Sequence, residues 1–537
     1  MSAGEGIVVK LDDQTGLSRR EALRLGGMSV AALMTPALLS ACGSSDGGQA
    51  APAITGRINS GQSLAPTTLD PHVASQIGGI TIVLYAYEGL YGKSPTAPYG
   101  VRPELAAGNL EELSPTSQRV ALRSGATFHD GSPVTAKDVV ESWRRIMDPK
   151  TASFIAGFLT MIKSVKADGD DAVIVTLNHP TTLLKDRLAL VKIMPASLAA
   201  RKPGSKVFNT KPVGSGPYQV VSVTSDLRTV ELDRFAAYKG PTKVSLPKIG
   251  LTVVPDDQAR IAGLQTKRLA AMVDPPFSAI DQLGKQSGID TGGKLSFQQS
   301  LLIFNNGKKP FTDNRIRRAI LSAIDRDTIT KSVFFGHAEA ATSYLPSNNP
   351  DYKKPATSVA YDPDRARALL AEAGVSNLSF RLNVSNLGWL SPQAPLIQSQ
   401  LKDVGINIAI HQGETESLVK EVADKSFDAW LTVTDPSVFG NADGEFLIRW
   451  AYGTLAGFMY WTDASSKQMA GLLQKATEST SADEVHALVG EMQDLIAEQV
   501  PSFPLHHRDA TAAWSTGLDL ALNPVYGVDL RGAKLAA

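Results

Sequence analysis

One cysteine in 537 residues leaves no partner for an internal disulfide and no second thiolate for a metal site. Histidine is scarce as well, eight residues in all, with His506-His507 the one clustered pair. Adjacent residues on a strand point to opposite faces, so that pair reads as structural rather than as two ligands of one metal. Net charge is absent: 53 basic residues balance 53 acidic ones, without the basic face that a nucleic-acid partner requires. No apolar run reaches the roughly 20 residues of a membrane span. After residue 53 neither G-x-S-x-G nor H-E-x-x-H occurs. Gly288-Ile289-Asp290-Thr291-Gly292-Gly293-Lys294-Leu295 imitates a phosphate loop but lacks the Ser or Thr that would hold magnesium. Gly89-Leu90-Tyr91-Gly92-Lys93-Ser94 ends in GKS with the wrong loop length. No catalytic set, metal site or cofactor is read from the chain.

The lone cysteine is Cys42, in the stretch LLSACGSSDGG. Upstream lie Arg19-Arg20 and an apolar run from Leu25 to Leu39, too short to span a bilayer comfortably. A basic stretch, a short apolar core and a small-residue boundary are the parts of an export signal. The arginine pair resembles a Tat signal, although a pair alone also suits the general export route. Leu39-Ser40-Ala41-Cys42 resembles a bacterial lipobox, in which the cysteine becomes the new N-terminus and carries lipid. One acyl chain binds a membrane only reversibly, at about 0.8 kcal/mol per buried CH₂, so stable anchoring needs more than one. The expectation is an export signal over residues 1–41, lipidation at Cys42 and a flexible tether over 42–53. Removing 1–41 takes away Lys10, Arg19, Arg20 and Arg24 with Glu5, Asp12, Asp13 and Glu21, so the remainder stays neutral.

The remaining chain, on the order of 500 residues, is too long for one core and implies two or more lobes. Helical and strand patterns alternate throughout, as in a mixed α/β protein. Thr135-Ala136-Lys137-Asp138 has the form of a capping box, followed by Val139, Val140, Trp143, Ile146 and Met147 at helical spacing and a stop at Asp148-Pro149. Val173, Val175 and Leu177 alternate as in a half-buried strand, as do Val230 and Leu232, then Ile249, Leu251 and Val253. Asp313-Asn314 opens a helix with Ile316, Ala319, Ile320, Ala323 and Ile324 on one face. Asp362 caps another, with Pro363 at its first position and Gly374 past its end. A further helix near 394–404 ends at Gly405, before a strand at Ile406-Asn407-Ile408.

Several separated segments together carry a resemblance. Leu69-Asp70-Pro71 comes first, then Tyr87-Glu88-Gly89-Leu90. Thr127-Phe128-His129-Asp130-Gly131-Ser132-Pro133-Val134-Thr135-Ala136-Lys137-Asp138-Val139 follows, with the glycine turn Val213-Gly214-Ser215-Gly216-Pro217-Tyr218. Phe304-Asn305-Asn306, Pro310-Phe311-Thr312-Asp313, Arg317-Arg318-Ala319-Ile320, Tyr361-Asp362-Pro363-Asp364-Arg365-Ala366 and Gly405-Ile406 complete the series. In this order they resemble the family 5 extracellular solute-binding proteins, the oligopeptide-, dipeptide- and nickel-binding proteins of ABC importers. The resemblance spans nearly all of the chain after the tether.

It implies a two-lobed α/β clamp of the periplasmic-binding-protein kind (type II, cluster C-like) with an extra subdomain on the first lobe. Lobe I would take 54–90, 212–300 and 506–537, the subdomain 91–211, and lobe II 301–505. It implies a lipid-anchored monomer, outside the cytoplasm on the outer face of the cell membrane. This subunit would deliver an oligopeptide or similar extended solute to an ABC permease, with no catalysis. An oligosaccharide or a metal chelate is the competing ligand within the same fold. An anchored extracellular hydrolase is the competing class and would need a nucleophile–base pair in the cleft.

In the family's peptide binders, an aspartate a few residues after a tryptophan holds the peptide's amino terminus. The matching stretch here is Phe427-Asp428-Ala429-Trp430-Leu431-Thr432-Val433-Thr434-Asp435-Pro436, where the position three after Trp430 is Val433. Asp435 is then either a substitute acid from a shifted loop or the first residue of a turn. The resemblance makes Asp435, Trp430, Trp389, Asn386, Asn305 and Trp461 the ligand-binding candidates. The aromatic ones among them are alternatively core.

Overall fold

The computed structural model describes residues 56–536, apart from 95–96, 358, 455 and 526. The export signal, Cys42 and the tether lie outside the described residues. A mixed sheet of eleven strands forms the frame. Its order is Ile406–Gly413, Leu378–Ser385, Ala429–Thr434, Ile289–Phe304, Ser502–Ser515, Ala271–Val273, Arg57–Gln62, Lys248–Val253, Thr229–Arg234 and Tyr218–Val223. Ala338–Ala340 pairs with Ser502–Ser515 off this path.

At one end, Leu378–Ser385 pairs in parallel with both neighbours. Parallel pairs need crossovers, and helices Gln393–Asp403 and Thr415–Ala423 supply them. At the other end, Arg57–Gln62 pairs in parallel with Lys248–Val253 and Ala271–Val273, the latter two joined by helix Asp257–Gln265. Two antiparallel strands, Ile289–Phe304 and Ser502–Ser515, run long enough to belong to both ends. Their ladder is regular to Leu295 opposite Asp509, breaks at a bulge, and resumes with Gln299 opposite His507. Ser296 Oγ stitches the bulge by donating to the Arg508 carbonyl at 2.6 Å and accepting from Gln298 N–H at 3.1 Å. This is a two-lobed α/β clamp, the fold class that the sequence resemblance implied.

A separate antiparallel sheet has the order Glu111–Ser114, Ser117–Ala121, Ala172–Leu177 and Ile162–Ala167. Helix Ala136–Met147 packs on it with Val139 and Ile146 buried. Asp138 Oδ2 accepts from the Thr135 backbone N–H at 2.8 Å and from its hydroxyl at 2.7 Å, which fixes the helix start at the expected box. The alternating stretches around Val173, Val230 and Ile249 are strands. Asp313 and Asp362 cap the helices Asn314–Ser322 and Pro363–Glu372 through backbone N–H groups two and three residues on. Gly374 and Gly405 take the left-handed conformation at the following turns.

The motif segments are joints between elements. Asp70, fully buried, receives a bidentate pair from Arg145 at 2.9 and 2.5 Å. Glu88 pairs with Arg123 at 3.0 Å. The turn at Gly214 and Gly216 lies against the 85–86 backbone: a Cβ at Gly214 would come within 2.0 Å of the Ala86 carbonyl oxygen, and one at Gly216 within 2.5 Å of that of Tyr85. His129 clips the same turn, with its N–H to the Gly214 carbonyl at 2.8 Å and its Nε2 3.0 Å from the Gly216 carbonyl.

Candidate ligand cleft

Three cavities follow one another along shared walls. The first, about 450 Å³, includes Ser63, Thr81, Asp274, Gln298 and Val525. The middle one, about 480 Å³, takes Val525 as well, with Lys93, Glu104, Lys192, Ser437, Asn441 and Arg531. The third, about 410 Å³, shares Leu84 and Lys192 with the middle one and adds Phe154, Ile155, Leu190 and Phe439. These volumes include space open to solvent.

The middle cavity takes Ser437, Gly440, Asn441 and Ala442 from the segment that follows Asp435. Strand Ala429–Thr434 ends there, and Asp435-Pro436 starts a 3-10 turn over Pro436–Phe439. Asp435 Oδ1 accepts from Ser437 N–H at 3.1 Å and from the Ser437 hydroxyl. Of the two roles the sequence left open, the turn is therefore present. The other oxygen, Oδ2, is sealed from solvent and has no hydrogen-bond partner. Burial raises the Asp435 pKa to about 7, against the lowering effect of the Ser437 bonds, of the Arg508 charge and of the nearby Gln298 side-chain amide.

Arg508 organises the bulge beside this carboxylate. Its Nε donates to Gln298 Oε1 at 2.6 Å and its Nη2 to Asp274 Oδ1 at 2.8 Å, while Asp274 Oδ2 accepts from Ser63 Oγ at 3.3 Å. The guanidinium lies over the Trp389 ring, 5.1 Å from its centroid. Trp389 thus reaches the Asp435 neighbourhood through Arg508.

The other candidates do not gather there. Trp430 is buried in its strand, and its indole N–H donates to Ser385 Oγ at 3.2 Å. Asn305 Nδ2 donates to the Phe427 carbonyl at 3.0 Å. Trp461 is buried edge-on to Tyr452 and donates to Ser465 Oγ at 3.0 Å. Asn386 is exposed and donates to Glu414 at 3.3 Å. None of these four lines the three cavities. Asp435 and Trp389 are not on those walls either, and the polar atoms of the other four are engaged by neighbouring groups or point to solvent. His506 and His507 address separate backbone carbonyls, Arg326 at 2.8 Å and Ser343 at 3.3 Å. Among the described residues, no cluster of three or more His, Cys, Asp or Glu could hold a metal ion.

Two further features escaped the sequence reading. Arg187, fully buried on helix Leu184–Leu190, pairs with buried Glu445 of helix Gly444–Arg449, which Arg449 also engages. Phe158 packs against Phe446 beside them, with ring centroids 4.5 Å apart. These contacts tie the element order of 151–190 to that of 436–450. Lys192, six per cent exposed, sits at the wall common to the middle and third cavities. Its signal was available as a single charge within Leu188-Ala189-Leu190-Val191-Lys192-Ile193-Met194. Arg508 carried none, because only the long strand pairing brings it to Asp274.

The model of the bacterial extracellular solute-binding proteins, family 5 Middle, matches residues 100–454, well over half of the chain. The chain belongs to this family. The glutathione-binding protein GsiB of Shigella dysenteriae is 27% identical over 474 residues, covering 83% of this chain and 90% of that protein. The structure of AgaA from A. tumefaciens in complex with agropinic acid superposes with a TM-score of 0.77 at 24% identity, over 90% of this chain and 99% of that one. A dipeptide-binding protein of Pseudoalteromonas in complex with Met-Leu gives 0.75 at 22% identity, over 90% and 100%. At these identities the two structures establish the fold. As a family 5 member the protein is a substrate-binding component of an ABC importer. No helix among the described residues is long and apolar enough to cross a membrane.

Proposed function

We propose that this protein captures peptide-like solutes with a free ammonium group and delivers them to a membrane permease, acting as a lipid-anchored monomer without catalysis. The observation that carries the peptide reading is the Asp435 carboxylate, whose Oδ2 is sealed from solvent and which caps the turn that brings Ser437 to the wall of the middle cavity. A carboxylate in a closed cleft is costly to desolvate unless a cation meets it, and a ligand ammonium supplies both charge and donors. The glutathione- and dipeptide-binding relatives support a ligand of that chemistry. The anchor reading rests on the order of arginines, apolar core and Leu39-Ser40-Ala41-Cys42, and it places the protein on the outer face of the cell membrane. In this reading lobe I takes 54–90, 212–300 and 506–537, with 91–211 as its subdomain, and lobe II takes 301–505, the bulge at 296–298 lying near the division.

A native mass spectrum of the purified protein with its co-purified ligand tests the ligand class. Asp435→Ala and, separately, N-acetylation of the peptide should each weaken binding by a factor of hundreds, from about 3–5 kcal/mol for a broken buried pair. Combined, they should add little. Binding of the co-purified ligand unchanged by Asp435→Ala would leave the residue a turn former and move an oligosaccharide ahead.

A further inference from the structure

We propose that Lys192 and Asn441 form a carboxylate-binding subsite in the middle cavity, so that the ligand is a short peptide with a free C-terminal carboxylate. This rests on the peptide reading above and adds to it the recognition of the opposite end.

Three cations line the middle cavity. Lys93 has Asp186 at 2.8 Å and Arg531 has Asp529 at 2.6 Å. Lys192 has no carboxylate within ion-pair distance among the described residues. Its Nζ gives one hydrogen bond, to the neutral Ala189 carbonyl at 3.2 Å, of the three an ammonium can give. The acids that attract it from farther off are Glu104, on the wall of the same cavity with its Oε2 accepting from Gly89 N–H at 3.0 Å, and Glu88, which pairs with Arg123 at 3.0 Å.

Asn441 points to the same ligand independently. It is fully buried on the wall of this cavity, and its Oδ1 accepts from Asp443 N–H at 3.1 Å. Its Nδ2 has no partner. A buried amide donor left unmade is costly, and an under-solvated ammonium more so. A carboxylate would satisfy both donors with charge-assisted bonds. Beyond Lys192, the third cavity is walled largely by Ile80, Val83, Ile155, Leu190 and Phe439, an apolar wall next to that carboxylate.

The probes are alanyl-leucine and alanyl-alanyl-leucine as free acids, as C-terminal amides and as N-acetyl derivatives, measured by titration calorimetry. On the wild type, amidation should weaken binding at least about tenfold. On Lys192→Met, acid and amide should bind alike. Asn441→Asp, which keeps the Oδ1 bond but replaces the donor with a negative charge, should make the amide the better ligand and stands in if Lys192→Met does not fold. Equal binding of acid and amide by the wild type, or a preference that survives Lys192→Met, overturns the subsite. Sensitivity to N-acetylation without sensitivity to amidation removes this inference and leaves the Asp435 reading intact. The converse pattern removes Asp435 alone, and failure of every free peptide to bind overturns both.

Discussion

Replacing Asp435 by asparagine should make the unliganded protein more stable while it weakens ligand capture. In the folded protein the carboxyl titrates near 7 rather than 3.8, because its Oδ2 is sealed without a partner. The unfolded chain therefore loses this proton first. Between 3.8 and about 7 the folded state holds more protons, so this group's contribution to stability falls as pH rises through that window. Raising the carboxyl from 3.8 to about 7 sets a ceiling of about 4 kcal/mol above the window, and about 1.7 kcal/mol near pH 5. The residue is only half-buried as a whole, so solvent screening keeps the observed value below that ceiling. Asparagine has an oxygen to accept both Ser437 bonds, and its amide occupies the place of Oδ2 without a charge. Thermal unfolding of ligand-free wild type and Asp435→Asn should diverge with rising pH, the variant gaining most above about pH 7. The same protonation makes ligand binding improve as pH rises through 7, since an ammonium needs the ionised acid. Parallel stability curves for the two proteins from acid to alkaline pH would refute the reasoning.

Cys42→Ser should abolish lipidation, because a hydroxyl does not form the thioether; fractionation should find unprocessed precursor or released protein, and an acylated, membrane-bound variant would refute the lipobox. Arg187→Met leaves Glu445 buried with Arg449 alone, and the loss should be about 3 kcal/mol, the lower end for a broken buried pair. It should appear as a lower melting temperature that added salt does not mask. The buried imidazoles of His72, His129, His506 and His507, lowered by burial to between about 3 and 4, are neutral in the folded chain and charge on unfolding. Their stabilising effect is complete above 6.5 and is lost as pH falls toward 4, so acid unfolding should take up several protons, measured as the slope of stability against pH. The co-purified ligand, added back to stripped protein, should raise the melting temperature and reduce the radius of gyration in small-angle scattering.

What was legible in the sequence follows the range of each interaction. Caps are local, so Thr135 with Asp138 and Asp362 with Pro363 could be placed within a residue, and alternation was enough for the strands at Val173 and Ile249. The ordered motifs fixed the fold because each is a joint: Asp70 needs Arg145, and Gly214 needs the 86 carbonyl. The cleft was harder. Whether Trp430 faces a ligand or a core depends on Ser385, a partner supplied by parallel pairing of a distant strand, and the same holds for Asn305 with Phe427. Asp435 was legible as a turn from Asp-Pro, but its bare second oxygen depends on how the bulge at 296–298 and Arg508 enclose it. Lys192 was visible as a charge in an apolar run, and needed only to be asked what neutralises it.

The bulge has a mechanical meaning. Because Ile289–Phe304 and Ser502–Ser515 are hydrogen-bonded both before it and after it, sliding one lobe past the other would break two ladders at once. Bending at the three residues already out of register breaks almost none. A bend there is the change these two ladders resist least, and whatever sits beside it moves with it. Arg508 spans the bend, touching Gln298 within the bulge, Asp274 on one side and Trp389 on the other. A change of angle must therefore re-aim the charge that faces Asp435. If Asp435 is the anchor proposed above, bending at the bulge and the electrostatics of that anchor are one variable.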